Sequence, residues 1–462
     1  MKIPSYLSIF LIPAFAFIGC KSTDEKIIVN LSAPQWSKNS VIYEVNVRQH
    51  SQEGTFKAVT KDIPRIKALG ADILWLMPIN PIGQKNRKGT LGSYYSVQNY
   101  TTVNPEFGTL NAFKELVQSA HNAGQKVIID WVANHTAWDH DWISSHPEWY
   151  EKDKNGNIIT QYDWSDVAKL NYTNKELRKE MIKALKYWVQ ECDIDGFRCD
   201  VAFLVPADFW VEARAELETI KPVFMLAEME TQKDINANPK VYFTNAFNAN
   251  YNWSLHGLSA DIAQGKKTYR DLLKHIEETY NETPSDVYRM SFLTNHDENS
   301  WNGTIEEKYG KKWQLFSVLN YTMPQTFPLI YSGEEANNKK RLQFFEKDPI
   351  TWGDTSLYGW YRKMNALKHS QPSLANGNHG APTTFIQLNN TEDLTSLLAF
   401  ERTLDGKTVI VVANLSEGPQ SFKAVGNYVP NEKNIYVSSQ FEFKNGEFSL
   451  PSFGFVVFTT QN

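Results

Sequence analysis

The stretch Gly124-Gln-Lys-Val-Ile-Ile-Asp-Trp-Val-Ala-Asn-His135 contains a short, nearly continuous apolar run, Val127–Val132. Such a run is typical of a parallel strand that is covered on both faces. The segment just before it, 111–123, predicts an amphipathic helix, and Gly124 is a favourable residue for ending that helix. A helix that leads directly into a buried strand indicates a parallel α/β fold. The apolar face of this helix is formed by Phe113, Leu116, Val117 and Ala120.

The same alternation of apolar strand and amphipathic helix recurs along most of the chain. A second clear helix is predicted at 175–191, where apolar residues recur at helical spacing. Repeated strand–helix units of this length predict a (β/α)8 TIM barrel. The clearest predicted strands are Val41–Val47, Ile73–Met77, Val127–Val132, Gly196–Val201, Val223–Ala227, Arg289–Leu293 and Phe327–Tyr331.

Two segments interrupt this alternation and predict additional structure. Residues 133–172 follow the third strand without a clear helix, and they are rich in Trp, Asp and His. Because loops of this length in compact domains are usually functional, we predict a short inserted loop domain there. Beyond Pro372 the pattern changes to alternating strands, which predicts a C-terminal antiparallel β-sandwich at 378–462. The barrel domain then spans 35–377.

The N-terminal residues predict export rather than a part of the fold. An apolar run at Tyr6–Ile18 follows Lys2, and it is too short to span a bilayer but suits a signal peptide. The run leads into Phe17-Ile-Gly-Cys20, which resembles a bacterial lipobox. We therefore expect a signal peptide at 1–20, lipid attachment at Cys20 and a tether at 21–34. The protein would then be an exported lipoprotein of the outer membrane, on its surface or its periplasmic face. An ordinary secretory signal is the alternative.

Composition excludes some classes of partner. The net charge of −5 gives no reason to expect nucleic acid. The two cysteines beyond Cys20 are expected to be buried thiols, and no Cys/His cluster has the spacing of a zinc site. We expect no organic cofactor. The 14 Trp and 21 Tyr residues could form extra core or platforms that stack on sugar rings, and composition alone leaves both possibilities open.

Polar side chains cluster where the predicted strands end. In a parallel barrel the carboxyl ends of the strands form the active-site face. Because side chains alternate along a strand, Arg198 and Asp200 should point to the same side. A cation beside a carboxylate favours its ionised form, which a nucleophile needs. The polar positions occur in Asp130-Trp-Val-Ala-Asn-His135, Gly196-Phe-Arg-Cys-Asp200, Leu226-Ala-Glu228 and Asn295-His-Asp297.

These four segments, in this order and spacing, resemble the signature regions of the α-amylase superfamily, glycoside hydrolase family 13. Further matches are Gly92-Ser-Tyr-Tyr-Ser-Val-Gln-Asn-Tyr100 and Lys169-Leu-Asn-Tyr172, and the resemblance covers roughly 36–372 and extends into the sandwich. It implies a retaining glycosidase in which Asp200 is the nucleophile, Glu228 the acid and base, and Asp297 the residue that favours the transition state. The resemblance also implies that Arg198 orients Asp200, that His135 and His296 bind sugar hydroxyls, and that Tyr95 stacks beneath the sugar.

The sequence also departs from the pattern of that family. Phe203 and Leu204 stand where many amylases carry Lys-His in contact with the leaving group, so we expect that side of the site to be held differently. Asn134 matches a calcium ligand of the family, and calcium is the one metal that the resemblance implies. Calcium takes six or more oxygen ligands, and the short inserted loop reveals no others.

Three functions are compatible with these residues. The first is hydrolysis of α-1,4-glucosidic bonds in starch-like α-glucans or maltooligosaccharides. The second is a transglycosylase or exo-α-glucosidase on the same fold, which depends on the shape of the loops around the site. The third is a non-catalytic glycan-binding lipoprotein, which would have no need of all three carboxylates.

Overall fold

The computed structural model describes residues 32–230, 239–282, 284–389, 396–426 and 428–461. The predicted signal peptide, the lipidation position Cys20 and residues 21–31 of the predicted tether lie outside the described residues. Within the described part of the chain, no helix is both long enough and apolar enough to cross a membrane.

Eight parallel strands form a closed barrel in chain order, and the eighth strand pairs with the first. This arrangement confirms the predicted (β/α)8 barrel. All seven strands predicted from the sequence are present, and the sixth barrel strand is the one that the sequence did not reveal. From first to eighth, the barrel strands are Ile42–Val45, Ile73–Leu76, Lys126–Trp131, Gly196–Cys199, Phe224–Ala227, Ala249–Tyr251, Tyr288–Ser291 and Thr326–Tyr331.

The barrel is closely packed inside and out. Its interior is filled by large side chains that include Trp75, Phe224 and Tyr251, and a larger apolar cluster lies between the strands and the surrounding helices. The fourth strand begins at Gly196, where a Cβ atom would lie 1.9 Å from the carbonyl oxygen of Phe224. Only glycine allows the fourth and fifth strands to approach this closely, so this residue sets the position of the two strands that carry Asp200 and Glu228.

Helices follow most of the barrel strands. The helix predicted at 111–123 is Leu110–Asn122, and the side-chain oxygen of Thr109 caps it by accepting a hydrogen bond from the Ala112 amide. The helix predicted at 175–191 is Lys175–Cys192. The other helices are Val47–His50, Phe56–Leu69, Trp142–Ser145, Ala207–Glu218, Pro239–Asn245, Trp253–Ala263, Tyr269–Glu282, Ile305–Tyr309, Trp313–Thr322 and Tyr358–Ser370.

The insertion after the third strand is short and has little regular structure. Two three-residue strands, His135–Ala137 and Val167–Lys169, form an antiparallel pair, and the helix Trp142–Ser145 lies between them in the chain. The pair holds His135 at the mouth of the barrel. Cys192 and Cys199 are both free and buried, as the sequence predicts.

The C-terminal region is an antiparallel sandwich of two sheets, as predicted. One sheet contains Thr384–Phe385, Leu397–Leu404, Lys407–Asn414, Phe455–Gln461 and Ile435–Ser438. The other contains Leu388–Asn389, Gln420–Ala424, Glu447–Leu450 and Glu442–Lys444. The buried guanidinium of Arg402 donates hydrogen bonds of 3.0 Å to the carbonyl oxygens of Thr322 and Met323, which attaches the sandwich to the barrel. The predicted boundary at 377/378 falls between the last barrel helix and the first sandwich strand.

Candidate active site

One arginine organises the carboxylates at the barrel mouth. Arg198 is 0% exposed, and its Nη1 lies 2.8 Å from Asp130 Oδ1 and 3.1 Å from Asp200 Oδ1. Its Nη2 lies 3.0 Å from Glu228 Oε2. The fourth and fifth strands therefore bring Asp200 and Glu228 to one guanidinium, and Arg198 and Asp200 point to the same side as predicted.

Burial dominates the electrostatics of Asp200. Desolvation, followed by the negative charge of Glu228, raises the pKa of the Asp200 carboxyl well above its ordinary value, and Arg198 only partly opposes this. The direction is the reverse of the sequence-based expectation that the cation alone would keep Asp200 ionised. The reason is that burial of Asp200 and the nearby charge of Glu228 outweigh the attraction of Arg198, which also contacts Asp130 and Glu228.

The backbone next to Asp200 holds Glu228 in place. The amide of Val201 donates a 2.7 Å hydrogen bond to Glu228 Oε2. Val201 has φ +36°, a left-handed conformation that a β-branched residue rarely adopts. Strain of this kind concentrates at functional sites, and here it turns an N–H group towards a carboxylate that lines the cleft.

A second cluster surrounds His296 and Asp297 beyond the seventh strand. His296 Nδ1 lies 2.5 Å from Glu44 Oε1, and its Nε2 lies 3.3 Å from Asp297 Oδ2. Burial alone would lower the pKa of His296, but the carboxylates of Asp297 and Glu44 raise it well above its ordinary value. Burial likewise acts to raise the pKa of Asp297, but His296 outweighs it and lowers that pKa. Asp297 is thus held ionised beside an imidazolium.

Tyr95 joins these two clusters. Its hydroxyl donates a 3.0 Å hydrogen bond to Asp130 Oδ2 and lies 2.7 Å from His296 Nε2. The Tyr95 ring is stacked on His296, with centroids 5.5 Å apart, and on Phe344 at 6.2 Å. Tyr95 lines the cleft and is partly buried, and its role beneath a sugar stays a prediction.

His135 lines the same cleft. Its ring makes an edge contact with Trp164, with ring centroids 5.5 Å apart, and its Nδ1 lies 3.1 Å from the side-chain Nδ2 of Asn134. Burial lowers the pKa of His135 to about 4, so the ring is neutral at ordinary pH. A neutral imidazole can both donate and accept a hydrogen bond, which suits a group that binds sugar hydroxyls.

The cleft that these residues share has a volume of about 420 Å3. Asp200, Glu228 and Asp297 lie on its floor together with Tyr95 and His135. Three aromatic side chains, Trp301, Phe344 and Phe345, form one wall. Trp301 is 51% exposed, and its ring centroid lies 5.3 Å from that of Phe344 and 5.7 Å from that of Phe345. An exposed aromatic surface beside carboxylates suits a ligand that has both apolar C–H faces and hydroxyls.

Sequence reasoning missed several residues that support this site. Tyr251 accepts a 3.0 Å hydrogen bond from Arg198 Nε, but it lies on the sixth strand, which has only three residues and no apolar run. Glu44 lies in the first strand, and a lone acidic residue in an apolar strand was the one signal that could have revealed it. No sequence signal identified the wall formed by Trp301 and Phe344.

The position of Asn134 bears on the predicted metal. Its side chain contacts His135, and among the described residues no group of three or more His, Cys, Asp or Glu side chains could hold a metal ion. Calcium takes six or more oxygen ligands, and the described residues supply no cluster of carboxylates around Asn134, so we assign no catalytic step to calcium. Calcium binding stays a prediction of the resemblance. A fall in melting temperature on chelation, reversed by added calcium, would support it.

Comparison with known proteins identifies the family. The model of the α-amylase catalytic domain matches residues 35–155 and 145–356. The chain belongs to the α-amylase family.

Relatives of the chain span both of its domains. A crystal structure of an α-amylase from Lactobacillus plantarum is 32% identical, with a TM-score of 0.78, and the match covers 92% of this chain and 99% of that one. A maltogenic α-amylase from Thermotoga neapolitana is 28% identical, with a TM-score of 0.76 and coverage of 92% and 97%. α-Amylase 2 of Dictyoglomus thermophilum is 25% identical over an alignment of 455 positions, which covers 89% of this chain and 76% of the relative. The chain is a glycosidase that acts on O-glycosyl bonds, in agreement with the expectation from its motifs.

Proposed function

We propose that the protein is a retaining glycoside hydrolase that cleaves α-1,4-glucosidic bonds in starch-like α-glucans or maltooligosaccharides. The observation that carries this proposal is the shared guanidinium of Arg198, which holds Asp200 and Glu228 together on the floor of one cleft. A nucleophile and an acid on opposite sides of the scissile bond must be close together in a retaining enzyme.

Two balanced steps follow from this arrangement. In the first, Asp200 attacks the anomeric carbon while the glycosidic C–O bond breaks, and Glu228 gives its proton to the departing oxygen. The sugar is then attached to Asp200 as an ester. In the second, Glu228 takes a proton from water, the water oxygen bonds to the anomeric carbon, and the ester bond breaks. Two inversions leave the anomeric configuration unchanged.

The other residues of the cleft hold the sugar for these steps. Asp297, ionised beside His296, accepts hydrogen bonds from hydroxyls and favours the positive charge that develops on the ring. Tyr95 offers its ring as a platform, and His135, which lines the same cleft, binds sugar hydroxyls. Arg198 restrains both reacting carboxyls and keeps them from moving apart.

The names of the relatives support an α-glucan substrate. Those from Lactobacillus plantarum and Dictyoglomus thermophilum are α-amylases, and the one from Thermotoga neapolitana is a maltogenic α-amylase. The aromatic wall at Trp301 supports a substrate longer than one sugar, because each further ring can stack on an exposed aromatic surface.

Digestion of maltoheptaose tests the proposal. We expect shorter maltooligosaccharides whose newly formed reducing ends are initially in the α form by NMR. Glu228→Gln should abolish this reaction, and azide should partly restore the cleavage of substrates with an activated leaving group, because such substrates need no acid in the first step. Initial products in the β form would contradict a retaining mechanism. Products longer than the substrate would indicate transfer, and unchanged maltoheptaose would indicate a binding protein.

A further inference from the structure

A short segment crosses one side of the cleft and connects two of its walls. Residues 87–92, which we call the bridge segment, lie between the insertion after the third barrel strand and the loop after the eighth. At one end, Lys88 Nζ forms a 3.1 Å ion pair with Asp166 Oδ1. Asp166 belongs to the insertion and is 4% exposed, and both residues of the pair line the cleft.

The other end of the bridge segment is attached to the loop after the eighth strand. The amide of Leu91 donates a 3.0 Å hydrogen bond to the Phe345 carbonyl, and the amide of Thr90 donates a 2.7 Å hydrogen bond to Glu346 Oε1. Just before Thr90, Gly89 has φ +62°, and a Cβ atom there would lie 2.5 Å from the Phe345 Cβ. The two backbones therefore touch, and no gap for a sugar chain remains between them.

The bridge segment is supported from below by the first part of the barrel. Arg48 is buried, and it donates hydrogen bonds of 3.1 Å to the Gly92 carbonyl and 3.2 Å to the Leu91 carbonyl. Arg87 donates a 2.8 Å hydrogen bond to the Gly83 carbonyl. A loop with this many backbone contacts is a fixed wall of the cleft rather than a mobile flap.

The position of the proposed acid tells which end of the substrate meets this wall. Glu228 protonates the leaving oxygen and so lies on the reducing side of the scissile bond. It follows the fifth barrel strand, whereas the bridge segment contacts loops that follow the second, third and eighth strands. In the closed barrel none of these three strands is a neighbour of the fifth. The wall thus lies away from the strand that carries Glu228, which is the side towards which the non-reducing part of the substrate would extend.

We propose that the bridge segment closes the non-reducing side of the cleft, so that the enzyme removes short units from the non-reducing ends of α-glucans instead of cutting within chains. This inference rests on the proposed function, and it names Lys88 and Asp166 as residues that determine specificity. An open groove would let a chain extend in both directions, but a wall admits only a chain that ends there.

Two maltoheptaosides with the same chromogenic group at the reducing end test the inference, one with a free non-reducing end and one whose non-reducing end carries an ethylidene group. We expect the wild-type enzyme to shorten the free substrate at least about a hundredfold faster than the blocked one, with products resolved by chromatography. Equal rates on the two substrates would overturn the inference. Failure to cleave either substrate would instead contradict the proposed function.

Variants of the ion pair test whether the bridge segment is the cause. Lys88→Ala and Asp166→Asn should each raise the rate on the blocked substrate, relative to the free one, by about tenfold, because the contact at the cleft is then lost while the other end of the bridge segment stays attached. Lys88→Arg keeps a cation and should behave as the wild type. Lys85→Ala is the matched control, since Lys85 is exposed in the same loop and faces Trp138 outside the cleft. Discrimination that persists in folded Lys88→Ala and Asp166→Asn proteins would also overturn the inference.

Discussion

The Nη2 atom of Arg198 lies 3.0 Å from Oε2 of Glu228. The guanidinium that contacts the proposed nucleophile thus also contacts the proposed acid, and the two carboxyls are coupled through it. When Asp200 becomes an ester it loses its negative charge, and Arg198 is then balanced by fewer carboxylates. Glu228 keeps its contact with this guanidinium while it accepts a proton from water in the second step.

Replacing the proposed nucleophile tests this arrangement directly. Asp200→Asn should lower kcat by at least about a thousandfold, which is roughly 4 kcal/mol of barrier, because an amide does not form the ester. Binding of maltoheptaose, measured by calorimetry, should persist because the other cleft residues are unchanged. Asp208→Asn is a suitable control, since its side chain is 71% exposed and pairs with Arg178 on the surface. A kcat within about tenfold of the wild type would contradict the assignment.

The hydroxyl of Tyr251 gives a second prediction. Tyr251→Phe keeps the buried ring but leaves the Arg198 Nε–H group without its 3.0 Å acceptor. We expect a loss of about 1–3 kcal/mol in the free energy of unfolding, and a fall in kcat of about tenfold with a smaller change in KM, because Arg198 is less well restrained.

Tyr242→Phe is the matched control for that variant. The hydroxyl of Tyr242 donates a 3.0 Å hydrogen bond to the carbonyl of Val205, and the residue does not line the cleft. It should change stability without changing kcat. If both variants had the same kinetic constants as the wild type, the positioning role of Tyr251 would be wrong.

The parts of the fold that the sequence predicted are those with strong local patterns. Val127–Val132 and the other long apolar runs predict buried parallel strands because covered strands need apolar residues on both faces. The sixth strand, Ala249–Tyr251, was not predicted because it is three residues long and its middle residue is Asn250. A strand this short is positioned by its neighbours rather than by its own sequence.

The residues of the site also divide into those that a local sequence pattern predicts and those that only the folded structure brings together. Residues at the ends of strong strands, such as Asp200 and Glu228, could be placed from strand alternation and the motif resemblance. Glu44 and the bridge segment could not, because their roles depend on which loops meet in space. The ion pair of Lys88 and Asp166 joins positions 78 residues apart, the difference between 166 and 88, and no local pattern records such a contact.

The N-terminal segment carries a third prediction. We propose that the chain is exported and attached to the outer membrane by a lipid on Cys20, as the apolar run and Gly19-Cys20 indicate. Cys20→Ser should move the protein from the membrane fraction to a soluble or unprocessed form, whereas Cys192→Ser, which removes a buried thiol, should not. Protease treatment of intact cells would cleave only a surface-exposed protein. A wild-type protein that is already soluble in fractionated cells would contradict the lipid anchor.

The loop that carries Trp301 depends on a buried ion cluster, and this gives a prediction for pH. Glu298 follows Asp297 and begins the π-helical turn Glu298–Asn302, which includes Trp301. Its carboxylate is bonded to Lys308 Nζ, and its Oε2 lies 3.1 Å from His256 Nε2. Burial acts to raise the pKa of Glu298, but His256 and Lys308 outweigh it and lower the pKa to about 2.

The direction of this shift fixes the pH dependence of stability. Because the pKa of Glu298 is lower in the folded state than its ordinary 4.5, its contribution is fully present above pH 4.5 and is lost as the pH falls towards about 2. At about 1.4 kcal/mol per pKa unit, the contribution is at most roughly 3.5 kcal/mol. Glu298→Gln should therefore lower the free energy of unfolding near neutral pH, and the difference from the wild type should shrink across this acid range.

Denaturant unfolding at a series of pH values measures the difference in unfolding free energy between Glu298→Gln and the wild type. The kcat of the same protein preparations, without denaturant, shows whether the turn that carries Trp301 is still in place. Glu307→Gln is the matched control: Glu307 is also paired, with its Oε2 2.9 Å from Arg341 Nε, but both side chains are about half exposed. Water screens such a pair, so its loss should have a smaller effect on stability. Glu298→Gln should also lower kcat/KM for maltoheptaose, because the turn that carries Trp301 loses its anchor. A stability difference that is the same at acid and neutral pH would show that the charge of Glu298 does not hold this turn.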